Sequence, residues 1–225
     1  VCTWSTPMNR GAAFDSPYYA SSMTDSPSCV HIIDDDDSVR ASTRFLVESV
    51  DLVGIEYASA DAFLEAYSDR GPGCIILDLR MPGLSGLEAL DVMRQRSILE
   101  PIIIITGHGD VPVAVRALKQ GVFDFLEKPC NDNILIETIN QAINFDLSER
   151  EAREKRQSIH TALQLLTPRE EEVLNLLVSG KSNKQVAEHF SLSSKTIERH
   201  RSSVMRKLDA SSFAQLVRIA ALRVE

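Results

Sequence analysis

Five side chains spread widely along the sequence carry most of the chemistry this chain can do: Asp34 with Asp35, Asp78, Thr106 and Lys128. Asp34 and Asp35 follow the apolar run 30–33, Asp78 follows 74–77, Thr106 follows 102–105, and Lys128 stands just past 123–126. Carboxylates crowded at one place raise each other's pKa unless a cation compensates them. A few hard oxygen donors suit Mg²⁺, which keeps several waters and leaves room for a phosphate. Lys128 is then a point charge for one phosphoryl oxygen and Thr106 a hydroxyl donor to another. A carboxylate can accept a phosphoryl group from a good donor to give an aspartyl phosphate, and Asp78 is the candidate nucleophile. Each residue alone has a plainer reading. The run 34–37 serves equally as a solvated acidic cluster that caps a helix, Asp78 as a cap, Thr106 as a strand-end hydroxyl and Lys128 as a surface charge.

The elements that must position these groups are legible in the hydropathy pattern. Apolar runs at 30–33, 55–58, 74–77, 102–105 and 123–126 alternate with helical patterns around 38–50, 60–69, 86–97 and 111–120, and a fifth helical pattern begins near Asn131. Continuous rather than alternating apolar strands predict a parallel sheet covered on both faces, a doubly wound α/β domain with strand order 2-1-3-4-5. In such a sheet, side chains at the carboxyl ends of the strands converge in one crevice. A length of 225 residues suits two modest domains. The expected divisions are an unstructured extension over 1–29, the α/β domain over 30–146, a solvated helical linker over 147–159 and an all-helical domain over 160–225. Met23 raises the further expectation that residues 1–22 lie outside the functional protein.

Charge divides the chain in the same place. Residues 30–146 carry a net charge of −11, whereas 159–225 carry +3, so only the tail is suited to a polyanion. Within it, 184–190 reads as a short helix, 191–193 as a turn and 194–208 as a longer helix, the pattern of a helix-turn-helix. Ile197, Val204 and Leu208 mark the core stripe of the second helix, and Lys195, Glu198, Arg199, Ser202 and Arg206 share another face. Arg199 can read guanine and Glu198 can accept from cytosine. Lys184, Thr196, His200, Arg201 and Lys207 are expected to hold the phosphate backbone and to make affinity fall with salt. The alternative is an amphipathic helix with a solvated polar side. No apolar run approaches the length of a membrane span, no secretory leader is evident, and the four cysteines match no disulfide or metal spacing, so a cytoplasmic location is expected.

The stretches 30–35, 77–83 (Leu-Asp-Leu-Arg-Met-Pro-Gly), 106–110 (Thr-Gly-His-Gly-Asp) and 125–129 (Phe-Leu-Glu-Lys-Pro) resemble the receiver domain of two-component response regulators. Likewise 166–170, 183–187 and 196–201 resemble a LuxR-type DNA-binding domain, and the whole chain is similar to FixJ-type transcriptional activators. The resemblance implies a flavodoxin-like receiver in which Asp78 takes phosphate from a sensor histidine kinase. It implies that Asp35, Asp78 and the backbone carbonyl of Arg80 ligate Mg²⁺, with Asp34 acting through water. It further implies that Phe125 turns inward when Thr106 follows the phosphoryl group, as a switch pair; a plain core ring is the alternative for Phe125. A homodimer formed on phosphorylation, promoter DNA and RNA polymerase are the implied partners. Two rival readings remain at this point. One is a phosphatase working through an aspartyl phosphate, which would need a second acid where position 80 is Arg; the other makes the tail a protein-binding module.

Overall fold

The computed structural model describes residues 27–107 and 117–222; the expected unstructured start, His108 to Asp110 and most of the helical pattern around 111–120 therefore lie outside the described residues, apart from a last helical turn at 117–119. The strands are β1 (Cys29–Ile33), β2 (Val53–Tyr57), β3 (Gly73–Asp78), β4 (Ile102–Thr106) and β5 (Asp124–Glu127). All neighbouring pairs are parallel, in the order β2-β1-β3-β4-β5. Helices α1 (Asp37–Glu48), α2 (Ala60–Ala66) and α3 (Gly86–Gln95) connect them, and α4 (Asp132–Gln164) follows β5.

The continuous apolar strands have the cause expected of them. Along β3, Cys74 and Ile76 face a core that includes Ile32, Ile103, Ile139 and Ile143, while Ile75 and Leu77 face one that includes Phe63, Leu90, Met93 and Ile104. With successive residues pointing to opposite faces, burial on both sides requires every position to be apolar. α1 and α4 cover the first face, α2 and α3 the second.

α4 runs without interruption for 33 residues, about 50 Å at 1.5 Å per residue. Its first part packs on the sheet through Leu135, Ile139, Ala142 and Ile143, its middle is the polar stretch read as a linker, and its end contributes Ile159, Ala162 and Leu163 to a second, helical core. That core is completed by α5 (Pro168–Val178), α7 (Ser194–Lys207) and α8 (Phe213–Ala221), and α6 (Asn183–Phe190) packs against α5 and α7 in an adjoining apolar cluster. Ser182 forms a capping box with Gln185, and Ser193 caps α7 by accepting from the Thr196 N–H. Between α6 and α7 the chain turns at Ser191, which takes the left-handed conformation at φ 54°, so the predicted helix-turn-helix is formed by the residues that predicted it. Among the described residues, no helix is long and apolar enough to cross a membrane.

Candidate functional site

The carboxyl ends of β1, β3, β4 and β5 bring the five singled-out residues to one place. Asp34 is 5% exposed and Asp78 7%, yet neither is left unpaired. Lys128 donates from Nζ to Asp34 Oδ2 at 2.5 Å and to Asp78 Oδ2 at 2.5 Å, bridging the carboxyl ends of the paired strands β1 and β3. The second oxygens are also held: Asp34 Oδ1 accepts from the Asp36 N–H at 2.9 Å, and Asp78 Oδ1 from the Arg80 N–H at 3.0 Å. Burial works against the Lys128 ammonium, but its bonds to the two carboxylates outweigh that and hold its pKa above the ordinary value. Asp35 is exposed, and one oxygen of each of Asp34, Asp35 and Asp78 lies within 4.8 Å of the others. Three hard oxygen donors converging beside a crevice, two of them already drawing a cation, fit a small divalent metal ion.

Thr106 ends β4 fully buried, and its carbonyl accepts from the Lys128 N–H at 2.8 Å, tying the loop that carries the lysine to the strand that carries the threonine. Phe125 lies opposite Ile104 in β5 and packs partly buried against the core under α2 and α3. Arg80 is exposed at the rim.

The acidic run divides its work. Asp36 is the N-cap of α1, accepting from the Ser38 and Val39 N–H groups at 2.8 and 3.3 Å, so the capping alternative holds for this one member. Sequence reasoning overlooked Arg40. Its guanidinium is buried against the loop, and the only local signal was an acid three residues earlier on the same helix face.

A glycine lets the helix after β3 approach the site. A Cβ on Gly86 would stand 2.6 Å from the Asp78 carbonyl oxygen and 2.7 Å from Leu79 Cα, both backbone atoms with no room to yield. Gly86→Ala is expected to cost about 1–3 kcal/mol in urea unfolding and to slow phosphate uptake by displacing the Asp78 backbone. Gly107→Ala, where an added Cβ meets nothing within 4 Å, is the control; equal stability of the two variants would contradict the close-approach argument.

On α7, Lys195, Glu198, Arg199, Ser202 and Arg206 are all exposed, and Lys184 is exposed near the start of α6. Thr196 is partly buried with its hydroxyl against Ser193 Oγ at 2.8 Å, His200 is partly buried, and the Arg201 guanidinium lies 5.6 Å from the Phe213 ring centre. Lys207 is a correction. Rather than pointing to solvent for a phosphate, it turns inward, donating to Glu170 Oε2 at 2.7 Å and to the Leu165 carbonyl at 2.9 Å. The buried Glu170 also accepts from Ser203 Oγ at 2.7 Å and from the Thr167 N–H at 2.8 Å in a capping box. The Thr-x-x-Glu spacing could have revealed the cap, but not the distant lysine.

Comparison with known proteins agrees with both halves. The response regulator receiver domain family matches residues 30–140, and the bacterial regulatory proteins, luxR family, match residues 164–220. The transcriptional regulatory protein FixJ of Azorhizobium caulinodans is 42% identical over 193 residues, covering 86% of this chain and 92% of the relative. FixJ of Bradyrhizobium diazoefficiens is 41% identical, covering 85% and 93%. Among solved structures, the response regulator StyR superposes with a TM-score of 0.79 at 37% identity over 87% of this chain and 99% of that one. Full-length FixJ from B. japonicum superposes at 0.55 with 40% identity, over 87% and 96%.

Proposed function

This chain belongs to the response regulators that join a receiver to a LuxR-family DNA-binding domain, and from that premise we propose that Asp78 is its phosphoacceptor and that α7 reads promoter DNA. It is a transcriptional regulator of two-component signalling rather than a classical enzyme. The observation that carries the receiver half is the Lys128 ammonium within 2.5 Å of both Asp34 and Asp78, beside a third carboxylate.

In the proposed reaction an Asp78 oxygen attacks the phosphorus of a phosphohistidine on a sensor kinase, the P–N bond breaks, and the imidazole leaves with the electron pair. Asp34, Asp35, Asp78 and the Arg80 carbonyl would hold Mg²⁺, Asp34 through water, and the ion would supply positive charge to the phosphoryl oxygens. Lys128 is already in contact with the attacking carboxylate, so the oxygens of the phosphoryl group transferred there lie within its reach. Thr106 donates its hydroxyl to another, and Phe125 follows it inward. The new charge biases the surface around β5 and the start of α4 toward a homodimer, which binds paired promoter half-sites and engages RNA polymerase in the cytoplasm. The domain divisions proposed are those of the sequence reading, a receiver over 30–146, a linker over 147–159 and a DNA-binding domain over 160–225. Fully inverting a two-state balance of this kind takes about 5.5 kcal/mol, within the range of a few charge-assisted hydrogen bonds in a dry pocket.

Lys184, Thr196, His200 and Arg201 are proposed to hold phosphates, with the face of Lys195, Glu198, Arg199, Ser202 and Arg206 toward the bases. The test is selection of duplexes from a random pool by the phosphorylated chain. Arg199→Ala should lose about 5- to 150-fold discrimination at one base position, the equivalent of 1–3 kcal/mol. Uniform weakening across all sequences, with discrimination intact, would count against base reading by Arg199.

A further inference from the structure

The four acids after β1 hang from a peptide segment that needs support of its own, and a side chain from α1 gives it. Arg40 is 9% exposed. One terminal nitrogen donates to the Asp34 carbonyl oxygen at 2.7 Å, and the other pairs with the Asp37 carboxylate. The guanidinium therefore grips the acidic segment on both sides of Asp35, the exposed acid, and on the peptide of Asp34, the buried one. Asp36 between them is fixed by its cap on α1 and donates its N–H to Asp34 Oδ1.

We propose that Arg40 is a positioning residue for the cation site, bracing the 34–37 segment so that the Asp34 and Asp35 oxygens meet that of Asp78. The inference rests on reading those three carboxylates as that site. Two roles for Arg40 have opposite consequences. As a positive charge near the site it repels a divalent cation, so removing it should tighten binding. As a brace it keeps the Asp34–Asp35 pair in register with Asp78 at the end of β3, so removing it should loosen binding, as losing an outer partner of a metal ligand generally does. Lysine keeps the charge but offers one ammonium where the planar fork reaches two acceptors.

The experiment is calorimetric titration of the full chain with Mg²⁺, for the unsubstituted protein, Arg40→Lys and Arg40→Met, with thermal melting to confirm folding. Both variants should bind Mg²⁺ about tenfold more weakly, and at saturating Mg²⁺ the rate of phosphate uptake from acetyl phosphate should return to that of the unsubstituted chain. Unchanged affinity in Arg40→Lys, or tighter binding in Arg40→Met, overturns the brace. If Arg40→Met does not fold, Arg40→Lys decides alone. Absence of Mg²⁺ binding in the unsubstituted chain overturns the site itself, and the brace with it.

Discussion

Asp78→Asn is expected to end acid-labile phosphate uptake from acetyl phosphate, a fall of about 10³-fold or more, as for the loss of a nucleophile in a preorganised site. The amide is nearly isosteric, and its oxygen can still accept from the Arg80 N–H as Asp78 Oδ1 does at 3.0 Å. What it cannot do is attack phosphorus or neutralise Lys128, whose ammonium lies 2.5 Å from the other oxygen. The fold should survive, because Asp34 still pairs with the lysine. The effect should therefore appear in phosphate uptake and phosphate-dependent DNA binding, with duplex binding by the unphosphorylated chain unchanged. Continued uptake would place the acceptor elsewhere.

The second large effect concerns Lys207, where the helix-face argument and the packing give different answers. A lysine on a phosphate would contribute to the salt dependence of DNA binding, and its removal would lower the slope by about one contact while leaving the domain as stable as before. The packing predicts the reverse. Lys207 closes a network around Glu170, so Lys207→Met should destabilise the DNA-binding half by about 2–3 kcal/mol, less than a fully buried pair because its side chain is 27% exposed. The melting temperature should fall by roughly 10 °C or more, with the salt slope unchanged below the transition.

Acid should act through the same network. Burial disfavours the Glu170 carboxylate, yet the bonds from Lys207, Ser203 and Thr167 outweigh it and lower its pKa from 4.5 to about 2. The unfolded chain takes up this proton near 4.5 and the folded one only near 2. The stabilisation is thus complete above pH 4.5 and is lost as the pH falls toward 2. Glu170→Gln should flatten that part of the stability profile, and an unaltered profile would contradict the assignment.

Most of the fold was written locally. Strands β3 and β4, and β1 apart from the buried His31, are apolar at successive positions because both sheet faces are covered, and the chemistry-bearing residue directly follows each run, so convergence at the carboxyl ends followed from topology alone. α7 was legible for the same reason: Ile197 and Val204 recur at helical spacing and are buried, leaving a polar face by elimination. What escaped was decided by reach across space. Lys207 lies beside Arg206 in sequence, but its long side chain extends toward an acid on α5, 37 residues away, and no period within α7 marks that choice. Arg40 was hidden by its neighbours. A run of four aspartates reads as a single charged feature, whereas the folded segment gives them separate partners: Lys128 for Asp34, the α1 N-terminus for Asp36 and Arg40 for Asp37.

The most direct measurement of the central claim is chemical identification of the phosphorylated residue. Treatment with acetyl phosphate and Mg²⁺, borohydride reduction of the acyl phosphate and peptide mass spectrometry should find homoserine at position 78 and at neither Asp34 nor Asp35. Homoserine at one of those acids, or no reduced residue despite bound phosphate, would contradict it.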